Sequence, residues 1–413
     1  MSLYPSSHVD ESRLCSRIEA MARFGATEKG GVNRQALSAE DIQAQKEMIR
    51  WGRQLKLDAS IDPAGNLFLR LKGADDSAEP VLSGSHLDSQ PSGGKYDGAF
   101  GVLAAFEAVQ AIQSAGIPLR RHIDIVAWMN EEGSRFAPGM AGSAAFAGSR
   151  TLDEIRQVVD AQGVSVGQAL DTVMAELSEL PIRPLGFPVS AYIEAHIEQG
   201  PVLERENMVI GVVTGIQGKK TYRVTVTGET AHAGTSCRAE RRDALLASVA
   251  IIRALTTHMH DKEDVVKFTI GRLNIQPNAP SVVPGVAVFS IDLRHPDSKI
   301  LSILGDAIPI ICQAHADPCQ VVVEELSSAA SLVFTPSIRR CIAQAAQRLG
   351  LPQREINSAA GHDARYLNDV CATGMIFVPC HLGITHNEAE SATPKDLADG
   401  ARVLADVLAE LAA

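Results

Sequence analysis

The chain has 413 residues, enough for two domains, since single hydrophobic cores seldom grow past about 250–300 residues. Hydrophobic residues make up 45% and charged residues 21%, which excludes a disordered chain and describes a folded globular one. The net charge of −11 argues against nucleic acid or an anionic membrane as partner.

The seven cysteines are odd in number and contain no CxxC pair, so reduced thiols in a cytoplasmic compartment are expected. The opening residues, MSLYPSSHVDESR, have neither a basic start nor an apolar run, and no secretory leader is expected. No window approaches the ~20 apolar residues of a membrane span.

In chain order, an amphipathic helix is predicted from Ser12 to about Phe24, and a second from the N-cap Ser38 to about Leu55. Strands are read at Leu57–Ile61 and Asn66–Leu71, joined by a Pro-Ala-Gly turn. The next strand, Val81–Ser85, runs into GSHLDSQPSGGKYDG (84–98), followed by an apolar helix from Ala99 to Ile112. Arg121–Asn130 is apolar on both faces, as in a covered parallel sheet, and ends in Asn130-Glu131-Glu132-Gly133. This is a βαβ unit. Helical runs at 152–159 and 166–180 are taken as peripheral to the sheet, and Ala191–Gly200 (AYIEAHIEQG) as a strand end.

From about residue 214 the pattern changes. Strands at 221–229, 265–275, 285–295 and 319–326 alternate with helices at 241–257 and 298–314. The order β-α-β-β-α-β is the split-βαβ pattern, read as a module (214–328) inserted into a first domain (1–213 and 329–413). Helices at 336–349 and 362–369, a strand at 375–379 and a helix at 395–411 return to the first domain. Linkers near 212–215 and 328–334 are the expected hinges.

The chemistry concentrates at strand ends of the first domain. His86, Asp97, Glu132, His196 and His386 combine imidazole with carboxylate, a mixture that suits zinc or another divalent first-row ion. Five ligands exceed one catalytic zinc and suit two ions bridged by a carboxylate. The same residues would also serve ordinary polar loops. Glu131 and Glu132 are adjacent, so one can bind metal while the other addresses a water.

The motifs SHLDS, KYDGAFG, NEEGSRF, EAHIEQG, HAGT and ITHNEAE resemble the M20-type metal-dependent amidases. Within them the resemblance is to the branch of N-carbamoyl-L-amino acid hydrolases, β-ureidopropionases and allantoate amidohydrolases, and it spans nearly the whole chain. It implies an α/β catalytic domain with a mixed sheet and helices on both faces, and a ferredoxin-like lid and dimerisation domain.

Residue by residue it implies that His86, Asp97 and His196 hold one ion, and Asp97, Glu132 and His386 the other. Glu131 would be the general base, with Asp88 orienting His86. His232 would reach an active site across a homodimer and steady the oxyanion. Gln199, Ser281, Arg294 and Gly361 match substrate-holding positions, Arg294 suiting a carboxylate. Ser281 stands where family members commonly have Asn, which bears on the substrate.

The expected activity is hydrolysis of the linear C–N bond of an N-carbamoyl amino acid. The expected partner is a small ureido substrate with a carboxylate. The cofactors are two divalent ions, zinc or manganese, cobalt or nickel, which such N/O ligands also accept. The alternatives are allantoate hydrolysis, a dipeptidase or aminoacylase of the same fold, and a non-catalytic binding protein that keeps the pocket.

Overall fold

A computed structural model describes residues 4–413; the first three residues of the opening segment lie outside the described range. The chain divides into two compact units, one comprising the stretch up to Thr214 together with Phe334–Ala413, the other Gly215–Val333.

The first unit is built on a mixed sheet. At its centre four strands run parallel in the order Ile123–Trp128, Val81–His86, Ala191–Ile197, Ala372–Val378. All but one of their residues are buried (Ala372 is half-buried), as strands must be when helices cover both faces. The antiparallel strands Leu67–Leu71 and Asp58–Ile61 extend one side.

Helix Ala99–Ala115 leaves the sheet directly after Asp97. It is apolar nearly all round, and Phe100, Phe106 and Val109 join the main core with the C-terminal helix Pro394–Ala412. Each such buried side chain contributes on the order of 2 kcal/mol by leaving water.

Two expectations need correction here, both at the linkers. The 152–180 region supplies no strand to the sheet, as expected, though Leu170, Val173 and Leu177 lie in the main core. Just beyond it, Ile182 bridges Ile61 on the sheet, while Arg183 pairs at 2.9 Å with the buried Asp124.

Residues 212–215 are not a linker but part of the strand Ile210–Ile216, buried along nearly all its length. Residues 328–334 are likewise not a free linker, because Leu332–Val333 pairs with Gly215 and Ile216. Two glycines in that strand weakened its apolar pattern. Sequence reading also passed over the polar strand Gln353–Ser358 and the helix Ala141–Phe146.

The second unit is a four-stranded antiparallel sheet in the order Gln320–Ala329, Gly218–Thr227, Val286–His295, Lys267–Gln276. Helices Ala244–His258 and Ser298–Ala314 share a core with it through Ile251, Leu255, Leu301 and Ile308. This order is the ferredoxin-like arrangement of the split-βαβ motif.

Among the described residues, no helix is long and apolar enough to cross a membrane.

Candidate metal centre

Because the four central strands are parallel, their carboxyl ends share one edge of the sheet, where open α/β sheets place their binding sites. His86 is the last residue of its strand and His196 the next-to-last of its neighbour. The chain leaving Trp128 carries Glu131 and Glu132, and that leaving Val378 carries His386.

These side chains converge. Asp97 Oδ1 lies 3.2 Å from His196 Nε2 and 3.9 Å from His86 Nε2. Its other oxygen, Oδ2, lies 3.3 Å from His386 Nε2, which is itself 3.4 Å from Glu132 Oε2. Two donor groups result, His86–Asp97–His196 and Asp97–Glu132–His386, with Asp97 common to both.

Backbone contacts set the ring orientations. His86 Nδ1 donates to the Asp88 carbonyl at 2.9 Å, and His196 Nδ1 to the Ile197 carbonyl at 2.9 Å. Nε2 of each ring is thereby turned toward Asp97, and Nε2 of His196 also accepts the Gly98 amide at 3.2 Å.

The role expected of Asp88 is changed in one respect. Its carboxylate is 3.6 Å from His86 Nδ1 and instead accepts the backbone amides of Glu131 and Glu132 at 3.1 and 3.2 Å. The main-chain carbonyl thus aligns the ring, and the carboxylate holds the glutamate pair. Two consecutive amides attract a carboxylate more strongly than one neutral ring does.

Glu131 belongs to neither donor group; its Oε2 is 3.6 Å from His86 Nε2. Glu132 also accepts from Gln90 Nε2 at 2.7 Å.

The electrostatics report crowded negative charge. Burial, and then Asp363, Glu132, Asp88 and Asp97, hold the Glu131 carboxyl well above the usual range. Burial and Asp97 push Glu132 up to about 8. Burial takes His86 down to about 4. Burial opposes protonation of His196, yet Asp97 and Glu194 raise it to about 9, and the Asp97 hydrogen bond takes His386 to about 9.

Carboxylates that repel one another around imidazole nitrogens form a donor set that fits divalent cations. The cations would neutralise that charge and displace the ring protons.

Gly98 makes the convergence possible. Its φ is +63°, and a Cβ there would come within 2.4 Å of three His86 ring atoms. Gly98→Ala is expected to push the ring aside and lower affinity for divalent cations by about 10–100-fold, the usual cost of disturbing a ligand's support. Equilibrium dialysis of the stripped protein measures it.

Gln199 has a left-handed φ of +57° and donates through Nε2 to Asp97 Oδ2 at 2.9 Å. Gly361 is exposed in the turn before the buried His362.

His232, Ser281 and Arg294 belong to the second unit. There the amide of Ala233 donates to the Ser281 carbonyl at 3.0 Å. His232 Nδ1 accepts the amides of Gly234 and Thr235 at 3.0 and 3.1 Å, which puts the proton of the neutral ring on Nε2. Arg294 is gripped by Asp292, Nε to Oδ1 at 2.8 Å and Nη2 to Oδ2 at 3.2 Å.

Sequence reasoning missed Asp292, Gln90, Thr385, Glu390 and a third donor group, Glu194–His196–His362. In this group Glu194 is already satisfied by Ser85 Oγ at 2.7 Å and the Ala364 amide at 3.0 Å. Thr385 and Glu390 flank His386 within ITHNEAE, and Gln90 directly follows SHLDS. Their place in those motifs was the available signal.

Among known proteins, the profile of peptidase family M20/M25/M40 matches residues 82–410. N-carbamoyl-L-amino-acid amidohydrolase of Rhizobium meliloti is 37% identical over 409 residues, covering 98% of this chain and 97% of that one. Allantoate amidohydrolase of Escherichia coli (strain K12) is 35% identical over 401 residues, covering 95% and 96%. The crystal structure of a hydantoinase/carbamoylase family amidase from Burkholderia multivorans matches with a TM-score of 0.91 at 39% identity, covering 98% of each chain.

Proposed function

This chain belongs to peptidase family M20/M25/M40 and is an amidohydrolase acting on linear C–N bonds, and we propose that the bond it cleaves lies in the carbamoyl group of an N-carbamoyl amino acid. The observation that carries this reading is Asp97 shared by two donor groups, with Glu131 held beside them and belonging to neither. The relative from Rhizobium meliloti supports the carbamoyl substrate.

The family is metal-dependent. We assign His86, Asp97 and His196 to one divalent ion, and Asp97, Glu132 and His386 to a second, zinc or else manganese, cobalt or nickel. When bound, such ions polarise the scissile carbonyl and make water a better acid.

The chain's own residues do the rest. Glu131 takes a proton from the attacking water and returns it to the leaving nitrogen. His232, entering from a second copy of the chain in a homodimer, donates Nε2–H to the developing oxyanion. Arg294, held in plane by Asp292, offers a fork that suits a substrate carboxylate, and Gln199, Ser281 and Gly361 are assigned to the substrate by their place in the family's motifs. Water adds to the carbonyl carbon, the C–N bond breaks, and the products are the amino acid and carbamate. Carbamate decays to carbon dioxide and ammonia.

Allantoate as substrate is a second reading, supported by the Escherichia coli relative. It offers the same ureido and carboxylate chemistry.

The test compares kcat/KM for N-carbamoyl α- and β-amino acids, allantoate, N-acetyl amino acids and dipeptides with each metal. A site built to bind a ureido NH2 is expected to prefer ureido substrates by about 10⁴-fold over analogues lacking it. Preference for a dipeptide or an N-acetyl amino acid would overturn the reading.

A further inference from the structure

Glu390 is 4% exposed, and its carboxylate closes onto the turn that presents Asp97. Oε1 accepts the amides of Tyr96 and Asp97, both at 3.0 Å. Oε2 is 3.0 Å from the Thr385 hydroxyl, which lies 2.9 Å from Asp97 Oδ2.

Space at the turn is shaped around the same oxygen, since a Cβ on Gly94 would stand 2.1 Å from Glu390 Oε1. The segment carrying Glu390 also carries His386, whose φ of +51° is left-handed and unfavourable for a non-glycine residue. One carboxylate therefore joins the Asp97 turn to the His386 loop, so ligands 289 residues apart in sequence are set by a common brace.

We propose that Glu390 is a positioning residue for Asp97 and His386, and that its reach, rather than its charge, governs how tightly the chain holds divalent cations. The proposal rests on the reading of Asp97 as the ligand common to both donor groups. Glutamine at 390 keeps an acceptor for the two amides, and its NH2 can donate to the Thr385 hydroxyl, which leaves that hydroxyl's own proton for Asp97 Oδ2. Aspartate keeps the charge but retracts the carboxylate by one methylene.

The test is equilibrium dialysis of the full-length, chelator-stripped protein against zinc and, separately, manganese. Glu390→Asp is expected to weaken binding by about 10–100-fold, and Glu390→Gln by no more than about threefold. Gly94→Ala, which crowds the same oxygen from the other side, is expected to behave like Glu390→Asp and serves if that variant does not fold.

Wild-type affinity in both Glu390→Asp and Gly94→Ala overturns the proposal. So does a loss in Glu390→Gln as large as in Glu390→Asp. A wild-type protein that binds no cation would instead overturn the underlying assignment of Asp97.

Discussion

Glu131→Gln is expected to lower kcat by on the order of 10³–10⁴, at the upper end of what a positioned general base contributes, while metal content stays as in the wild type. The amide matches the carboxylate in size, so the backbone bond from Glu131 to Asp88 Oδ1 and the neighbouring Glu132 are undisturbed. What is lost is the ability to take a proton. Glu131 suits that role because it belongs to neither donor group and its side chain is only 11% exposed. Burial and the surrounding carboxylates hold its carboxyl well above the usual range; cations at the two donor groups would offset those carboxylates and favour the ionised form that a base requires. Steady-state kinetics on an N-carbamoyl amino acid, with metal analysis of the same preparation, decides the matter. Retained turnover removes Glu131 as the base; lost metal would make it a ligand.

Asp97→Asn is expected to be as damaging for a different reason. One oxygen faces His86 and His196, the other His386. An amide can present a carbonyl to one side only, and it turns N–H toward the other. The charge balancing both donor groups disappears at the same time. Bound metal should fall from two ions per chain to less than one. With several kcal/mol of charge stabilisation gone, kcat/KM should fall by about 10³ or more. His386→Ala, by contrast, touches a single donor group and should leave one ion. Metal analysis after exhaustive dialysis distinguishes them, and a Asp97→Asn protein that keeps two ions would refute the shared role.

Much of this centre could be read before any coordinates. His86 and His196 stand at strand ends and Asp97, Glu132 and His386 in the loops that follow strands, and donor chemistry together with the family resemblance was enough to select them. The split-βαβ order was likewise visible, because alternating strands and apolar helices are local signals. Less visible was the strand Ile210–Ile216, whose glycines dilute its pattern, and the polar strand Gln353–Ser358.

The amino-acid sequence alone therefore determined the residue types available for chemistry and the elements that carry them, since period and composition act over a few residues. Tertiary structure alone decided who touches whom. It turned the Asp88 carboxylate to the glutamate amides rather than to His86, gripped Arg294 with Asp292, and set Glu390 under Asp97 across 293 positions of chain. Such pairings follow from which parallel strands end side by side, and that is settled by burying the whole sheet at once, not by any short stretch within it.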